Sequence, residues 1–470
     1  MMWRLNDFKD NVAVISENDE ALTYYELLVL SQNLINNIPK RCLVFNLCTN
    51  SLGSLLGYIT FLNNKVVPLM IDADLDVSLL HNLISIYKPD YLWVPKEKLE
   101  NFRCFKEVYC DCGYTLLKTK FEFEYKLNPE LALLLTTSGS TGSFKLVRQS
   151  YNNISSNMSS ISKYLNLNDT ERAITTLPMH YTYGLSVINS HLSVGASIVL
   201  TDKTLMQKDF WTKLKSYKVT SMSGVPYTYE MLDKLRFFRM NLPDLRTITQ
   251  AGGKLSLSLH EKFAKYAVEN NKRFIVMYGQ TEATARMSYL PYTKSLEKIG
   301  SIGIAIPGGN FFILDSSGAK INEPDKIGEL VYEGPNVTLG YAECGENLNK
   351  GDERNGVLIT GDMAKFDNDG FYYIVGRKKR FLKIFGSRVN LDEMEQLIRE
   401  NFEDIDCACG GIDDCMYIFV TSAVQKDSIL HFVSKKTGIN HTAFKVKLIK
   451  EIPRNESGKI LYPILEDYYD

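Results

Sequence analysis

The 470-residue sequence has almost no net charge: 54 Lys and Arg stand against 55 Asp and Glu, a formal balance of −1. That neutrality excludes the broad basic footprint of a nucleic-acid binder and gives an anionic membrane nothing to attract, a local basic patch apart. No apolar run approaches the roughly 20 residues of a bilayer-spanning helix. The opening MMWRLNDFKD has no apolar core of the signal-peptide kind. Internal repeats and long low-complexity tracts are missing. Metal-site spacing is missing too. Nine cysteines are scattered, and Cys110 and Cys112, like Cys407 and Cys409, are separated by one residue rather than two, with no nearby His. An odd count without a signal leads us to expect reduced thiols in a cytoplasmic protein. What remains is ordinary globular composition, 45% hydrophobic and 23% charged, in a chain long enough for two or more domains.

One stretch stands out, LALLLTTSGSTGSFKLV, from Leu131 to Val147. The apolar run Leu131 to Leu135 reads as a buried strand. It empties into Thr136, Thr137, Ser138, Gly139, Ser140, Thr141, Gly142 and Ser143, small residues that leave backbone N–H groups uncovered and allow positive φ at the glycines. Such a loop can form an anion-binding nest, hydroxyls add donors, and Lys145 adds a point charge suited to phosphate. It is not G-x-x-x-x-G-K-[ST], because Lys145 follows Gly142 by three and Leu146 follows Lys145. A Ser/Gly linker between strands is the competing reading of the loop taken alone.

Residues 1–128 alternate strand-like segments (NVAVIS, CLVFNLC, KVVPLM, YLWVP) with helix-like ones, which argues for βαβ units and a mainly parallel sheet covered on both faces. After the loop the pattern continues to about residue 285, with Tyr181 to Gly184 read as a turn and ASIVLT, VTSMSGVP, LRTITQAGG and RFIVMYG as strands. The loop, His180, Gly252-Gly253 and Tyr278-Gly279-Gln280-Thr281-Glu282 all follow candidate strands, so they are expected to share the rim where such sheets bind ligands. From about 300, short strands between Gly, Asp and Asn turns predict an antiparallel β subdomain. GRKKRFLKIFGSRV predicts a hairpin or linker, DEMEQLIREN a helix, and the rest a small mixed domain.

The order of seven motifs resembles the adenylate-forming superfamily of acyl-CoA synthetases, adenylation domains and luciferases: TSGSTGSFK (137–145), QAGGK (250–254), YGQTEA (278–283), GELVYEGPNVTLGY (328–341), ITGD (359–362), GRKKRFLKIFGSRVNLDEMEQ (376–396) and PRNESGK (453–459). The resemblance covers nearly the whole chain. It implies an α/β fold: a large N-terminal domain of doubly wound mixed sheets with a small β subdomain, residues 1–378, and a small mobile α+β domain, residues 379–470, joined by a hinge. It implies an AMP-forming acid–thiol ligase that uses ATP and Mg²⁺, and CoA or a phosphopantetheine thiol, on a small-molecule carboxylic acid. An acyl-carrier protein is a potential partner; nucleic acid is not. A stand-alone adenylation enzyme loading a carrier protein, and a non-catalytic acyl-nucleotide-binding relic, are the alternatives.

The resemblance also distributes roles. Thr137 to Gly142 and Lys145 would hold the β- and γ-phosphates; two anions must meet in the first half-reaction, so positive charge and oriented donors are needed. Thr281 and Glu282 match the α-phosphate and Mg²⁺ contacts. Gly252 and Gly253 would let backbone lie beside adenine, with Tyr278 stacked on it and Gly279 and Gln280 alongside. Asp362 would accept the ribose hydroxyls, with Arg377 near the hinge. Lys459 would bridge the substrate carboxylate and α-phosphate. Lys383 and Gly386 would join the site in the second half-reaction. His180 is read as a gate of the acyl pocket or a carboxylate contact, with a packed structural His as the alternative.

Several positions depart from the family pattern. Phe144 and Leu146 replace the Pro and Gly that flank the loop lysine, and Arg380 stands where the hinge residue is commonly Asp or Lys. Thr182 occupies the position at which amino-acid-activating members carry an Asp, and no acid lies between 180 and 190. A substrate ammonium would therefore go unpaired, and a neutral-tailed acid is expected. Tyr181, Tyr183 and Tyr227 are expected to shorten the pocket.

Overall fold

The computed structural model describes residues 2–121, 126–136, 145–385, 387–402, 405–422, 426–454 and 460–469. The apolar strands of the first 285 residues form as expected, but they divide between two large mixed sheets. An eight-stranded sheet is built around Leu43–Cys48, Val67–Asp72 and Leu131–Thr136, which run parallel. A nine-stranded sheet has a parallel centre in Ser221–Gly224, Thr247–Gln250 and Arg273–Tyr278. The first strand, Val12–Ile15, crosses into this second sheet, beside Ser197–Val199. Antiparallel edges make both sheets mixed.

One core lies between the sheets. It draws Val44, Met70 and Leu135 from one sheet and Val14, Ile198 and Met277 from the other. The helix Leu52–Asn63 is buried from Leu52 to Leu62, and its near-uniform apolarity is what a helix covered on all sides requires. Helix Tyr151–Leu165 begins in a capping box, in which the Ser150 hydroxyl accepts from the Asn153 N–H at 3.0 Å and the Asn153 side chain accepts from the Ser150 N–H at 2.8 Å. The turn expected at Tyr181 to Gly184 is instead the start of a helix, Thr182–Leu192, buried from Tyr183 onward. Its residues from Tyr183 to Leu192 are all buried, polar ones included, and a helix satisfies their backbone groups internally where a turn would not.

The predicted antiparallel subdomain forms a five-stranded sheet containing Asn310–Leu314, Gly328–Glu333, Val357–Phe366 and Tyr372–Arg377. The next segment is a hairpin, Phe381–Ile384 with Ser387–Asn390. The three-stranded sheet Cys407–Ile412, Cys415–Val420 and Phe444–Leu448 follows, packed with helices Leu391–Asn401 and Lys426–Thr437 around a core that starts at Leu382. Arg380 is anchored in this last unit. Its guanidinium donates to Asp392 Oδ1 at 2.7 Å, Glu395 Oε1 at 2.5 Å and the Cys409 carbonyl at 2.7 Å, and lies 3.7 Å from the centroid of the Tyr462 ring.

Candidate active site

The parallel strands end where the motifs begin. Asp72, Thr136, Gln250 and Tyr278 each close a strand, and the described segments after Gln250 and Tyr278, with His180 beside Asp72, meet on one rim, the expected ligand edge of an open α/β sheet. His180 joins the two sheets there, its Nε2 3.9 Å from Asp72 Oδ2. Burial holds the imidazole below its ordinary pKa, and the Asp72 charge opposes this only partly. His180 is thus a neutral imidazole facing a carboxylate.

Asp362 is the hub of one cluster. It is buried in the strand Val357–Phe366 and accepts at Oδ2 from the Tyr278 hydroxyl at 2.5 Å and the Gln280 amide at 2.9 Å. Gln280 is itself tethered to the Thr360 carbonyl at 3.0 Å. Arg377, opposite Asp362 in the antiparallel ladder, brings its Nε to 3.7 Å from Oδ1 but is mostly exposed. Burial raises the Asp362 pKa above the usual carboxylate range, and the donors from Tyr278 and Gln280 moderate the shift.

Glu282 anchors a second cluster. Its Oε1 accepts from the Tyr341 hydroxyl at 2.7 Å, and its carbonyl accepts from Thr338 Oγ1 at 3.0 Å and Arg354 Nη1 at 3.1 Å. The Tyr341 ring has Arg354 at 4.7 Å and Lys145 at 5.8 Å from its centroid. Burial, then the Glu282 charge, pushes the Tyr341 hydroxyl up to about 12, so it stays a donor. Lys145 is half-exposed and paired with Glu343 at 2.8 Å. Arg148, three residues on, is fully buried. It donates to the Tyr341, Leu339 and Lys350 carbonyls and to Glu353 Oε2, which is 2.5 Å away, and so fixes the 339–353 segment that carries Tyr341.

The glycines hold this layout. Gly252 has φ +83, and a Cβ there would lie 2.7 Å from the Tyr181 hydroxyl oxygen, so Tyr181 reaches over the 252–253 turn. A Cβ on Gly279 would lie 1.7 Å from the Ala285 carbonyl oxygen. The chain therefore doubles back from Gly279 to Ala285, through Thr284 and Ala285 at positive φ. Thr281 opens the short turn Thr281–Ala283 inside this bend.

Among the predicted site residues, the structure brings together Lys145, Gly252, Gly253, Tyr278, Gly279, Gln280, Thr281, Glu282, Asp362, Arg377 and His180 around this rim. Lys383 lies on the hairpin of the last unit, where its N–H donates to Asp413 at 2.8 Å and its carbonyl accepts from the Asp414 N–H. Thr137, Ser138, Gly139, Ser140, Thr141, Gly142, Gly386 and Lys459 lie outside the described residues. Tyr227 is exposed on the helix Pro226–Lys234. Sequence reasoning passed over Asp72, Tyr341, Glu343, Arg354 and Arg286. Only Tyr341 had a signal, its place at the end of a quoted motif. Among the described residues no group of three or more His, Cys, Asp or Glu could hold a metal alone. A cation at Glu282 would need oxygens from a bound phosphate to complete its shell. The acceptor-only carboxylate of Glu282 beside the loop lysine suits that arrangement.

The sequence model of the AMP-binding enzyme family matches residues 85–342, more than half of the chain. The chain belongs to this family. The match covers the loop, the Gly252-Gly253 turn, the Tyr278–Glu282 segment and Tyr341, and the motif-based resemblance to adenylate-forming enzymes is thereby borne out. The chain is 29% identical over 348 residues to peroxisomal OPC-8:0-CoA ligase 1 of Arabidopsis thaliana, covering 71% of this chain and 63% of the relative, under two thirds of its length. It is 24% identical over 479 residues to 2-succinylbenzoate–CoA ligase of Oceanobacillus iheyensis, covering 96% of this chain and 95% of that one. Its fold is similar to that of O-succinylbenzoate coenzyme A synthetase of Bacillus subtilis in complex with ATP and magnesium, with a TM-score of 0.77 at 21% identity over 98% of this chain and 99% of the other. No helix among the described residues is long and apolar enough to cross a membrane.

Proposed function

We propose that this AMP-binding enzyme is an AMP-forming acid–thiol ligase: a carboxylic acid and ATP give an acyl-adenylate and pyrophosphate, and the acyl group then passes to the thiol of CoA. The observation that carries the reading is the convergence of the Asp362 and Glu282 clusters on one rim beside Lys145. Nucleotide recognition falls to Asp362, which accepts from the ribose hydroxyls, and to the 252–253 turn and Tyr278 beside adenine. The Tyr278 hydroxyl is committed to Asp362, so the ring and not its oxygen faces the base.

Thr137 to Gly142 and Lys145 hold the β- and γ-phosphates, and an arriving triphosphate competes with Glu343 for Lys145. Thr281 and Glu282 address the α-phosphate and its Mg²⁺, which supplies charge neutralisation for the attack of one anion on another. His180, neutral and close to Asp72, contacts the acid near the phosphate loop. Lys459 bridges acid and α-phosphate. In the second half-reaction residues 379–470 rotate against residues 1–378 and carry Lys383 and Gly386 to the thiol. The relatives named as CoA ligases support CoA as acceptor; a carrier-protein phosphopantetheine is the second acceptor of the same chemistry.

The test is pyrophosphate release across a panel of carboxylic acids with ATP and Mg²⁺, followed by thioester formation with CoA or a phosphopantetheinylated carrier. Acid-dependent pyrophosphate release with CoA thioester as product is the expected result. No release with any acid, together with no stabilisation by Mg-ATP, would refute the reading.

A further inference from the structure

Among the described residues two arginines, Arg148 and Arg286, are fully buried, and they are treated differently. Arg148 meets the Glu353 carboxylate and a set of carbonyl oxygens. Arg286 meets neutral groups alone: Nε donates to Ser186 Oγ at 3.0 Å, Nη1 to the Tyr164 hydroxyl at 3.1 Å and to the Met277 sulfur at 3.3 Å, and the guanidinium lies 5.1 Å from the Tyr183 ring centroid. Among the described residues no carboxylate pairs with it. A guanidinium is always charged, and a buried charge is ordinarily matched by an opposite one.

Its position gives the missing charge a source. Arg286 follows the bend that is closed onto Gly279, five residues after Thr281. On the other side, the Tyr183 ring stands 6.4 Å from that of Tyr181, whose hydroxyl covers Gly252. The cation thus stands one ring beyond Tyr183, which meets Tyr181 edge-on at the Gly252 turn, and five residues past Thr281. In the ligase reading, the tail of a short acid activated at the rim would extend toward Arg286.

We propose that Arg286 is the specificity-determining residue of the acid site and that the substrate is a short acid with a second anionic group, a dicarboxylate, whose far carboxylate pairs with this guanidinium. The inference rests on the acid–thiol ligase reading and narrows its substrate class. It replaces the neutral tail expected from the lack of an acid at 180–190: that lack disfavours a substrate cation, and Arg286 selects the opposite charge. Planar guanidinium donors suit a carboxylate in two-pronged geometry.

The experiment compares pyrophosphate release by the full chain with malonate, succinate and glutarate against propionate, butyrate and valerate, in the wild type, Arg286→Met and Arg286→Gln. The glutamine variant keeps a hydrogen-bonding side chain for Ser186 and Tyr164 while removing the charge. A charge-assisted contact predicts that the wild type prefers the best dicarboxylate over its monocarboxylate partner by about 30-fold or more in kcat/KM, and that the ratio falls to near one in both variants. A wild-type preference for monocarboxylates, or a ratio unchanged by either variant, overturns the assignment and leaves the ligase reading standing, because pyrophosphate is still released. No release from any acid, with no rise in Tm on adding Mg-ATP, overturns both.

Discussion

Tyr341 donates its hydroxyl proton to Glu282 across 2.7 Å, while Arg354 and Lys145 flank its ring. The tyrosine thereby aims a carboxylate without neutralising it. A neutral donor adds no opposing charge and engages one carboxylate oxygen, and in the proposed function the other would hold the cation. Tyr341→Phe should therefore raise the Mg²⁺ concentration needed for half-maximal adenylation by about fivefold, the worth of one hydrogen bond of roughly 1 kcal/mol. Magnesium titrations of pyrophosphate release will read this; an unchanged midpoint would remove Tyr341 from the site.

Asp362 gathers Tyr278 and Gln280 on a single oxygen. Its other oxygen lies 3.7 Å from Arg377 Nε and, in the proposed function, is the one that takes the ribose. Hydrogen bonds to charged groups contribute about 1.5–3 kcal/mol, so Asp362→Ala should raise the KM for ATP by about 10–100-fold. An equal fall in Tm and in kcat with KM unchanged would assign Asp362 to stability alone.

Arg148 illustrates a buried pair whose removal is costly. Arg148→Met leaves Glu353 and a cluster of carbonyls without their donor, and breaking such pairs costs about 3–5 kcal/mol. Urea unfolding should show a loss of this order, and Mg²⁺ affinity should weaken as the 339–353 segment loosens. Stability within about 0.5 kcal/mol of wild type would mean that the segment is held by other contacts.

Two buried histidines make stability sensitive to acid. Desolvation drives His191 and His260 down to about 4 from the ordinary 6.5. Above pH 6.5 neither state takes up a proton. Between pH 6.5 and about 4 the unfolded chain binds protons that the folded one refuses, so stability falls as pH falls, by up to roughly 3 kcal/mol per histidine. Tm measured from pH 7.5 to 4.5 should decline progressively below pH 6.5. A flat profile would show that the imidazoles reach solvent in the native state.

Lys459→Ala should depress adenylation by about 10²–10³, the loss on removing one preorganised transition-state donor. ATP–pyrophosphate exchange with an accepted acid is the measurement, and near-normal exchange would sink the role.

Much of this was readable beforehand. The strands announced themselves because parallel strands buried on both faces are continuous apolar runs, and the motif order singled out Asp362, Glu282 and Lys145, which the structure holds in hydrogen-bonded and ion-paired clusters. Three things were not readable. Two sheets share one core, and nothing local to Val12–Ile15 says which sheet it joins. Helix Thr182–Leu192 starts on residues whose Tyr and Gly content suggests a turn, and burial decides otherwise. Arg286 sits in EATARMSYL, where an isolated arginine reads as surface charge; only packing against Tyr183 and Ser186 exposes its oddity.

Arg380 is locked to Asp392 and Glu395, whereas Lys378, two residues earlier, is tied to Glu329 at 2.7 Å on the five-stranded sheet. The swivel of the proposed rotation is therefore squeezed into the peptide links around Lys379. Among the described residues, hydrogen bonds from Arg377 N–H to Asp392 at 3.2 Å and from Asn390 to the Val375 carbonyl at 2.8 Å also span this junction. If the proposed rotation takes place, these are bonds it would break, each worth about 0.5–1.5 kcal/mol, so that the toll at departure would be small.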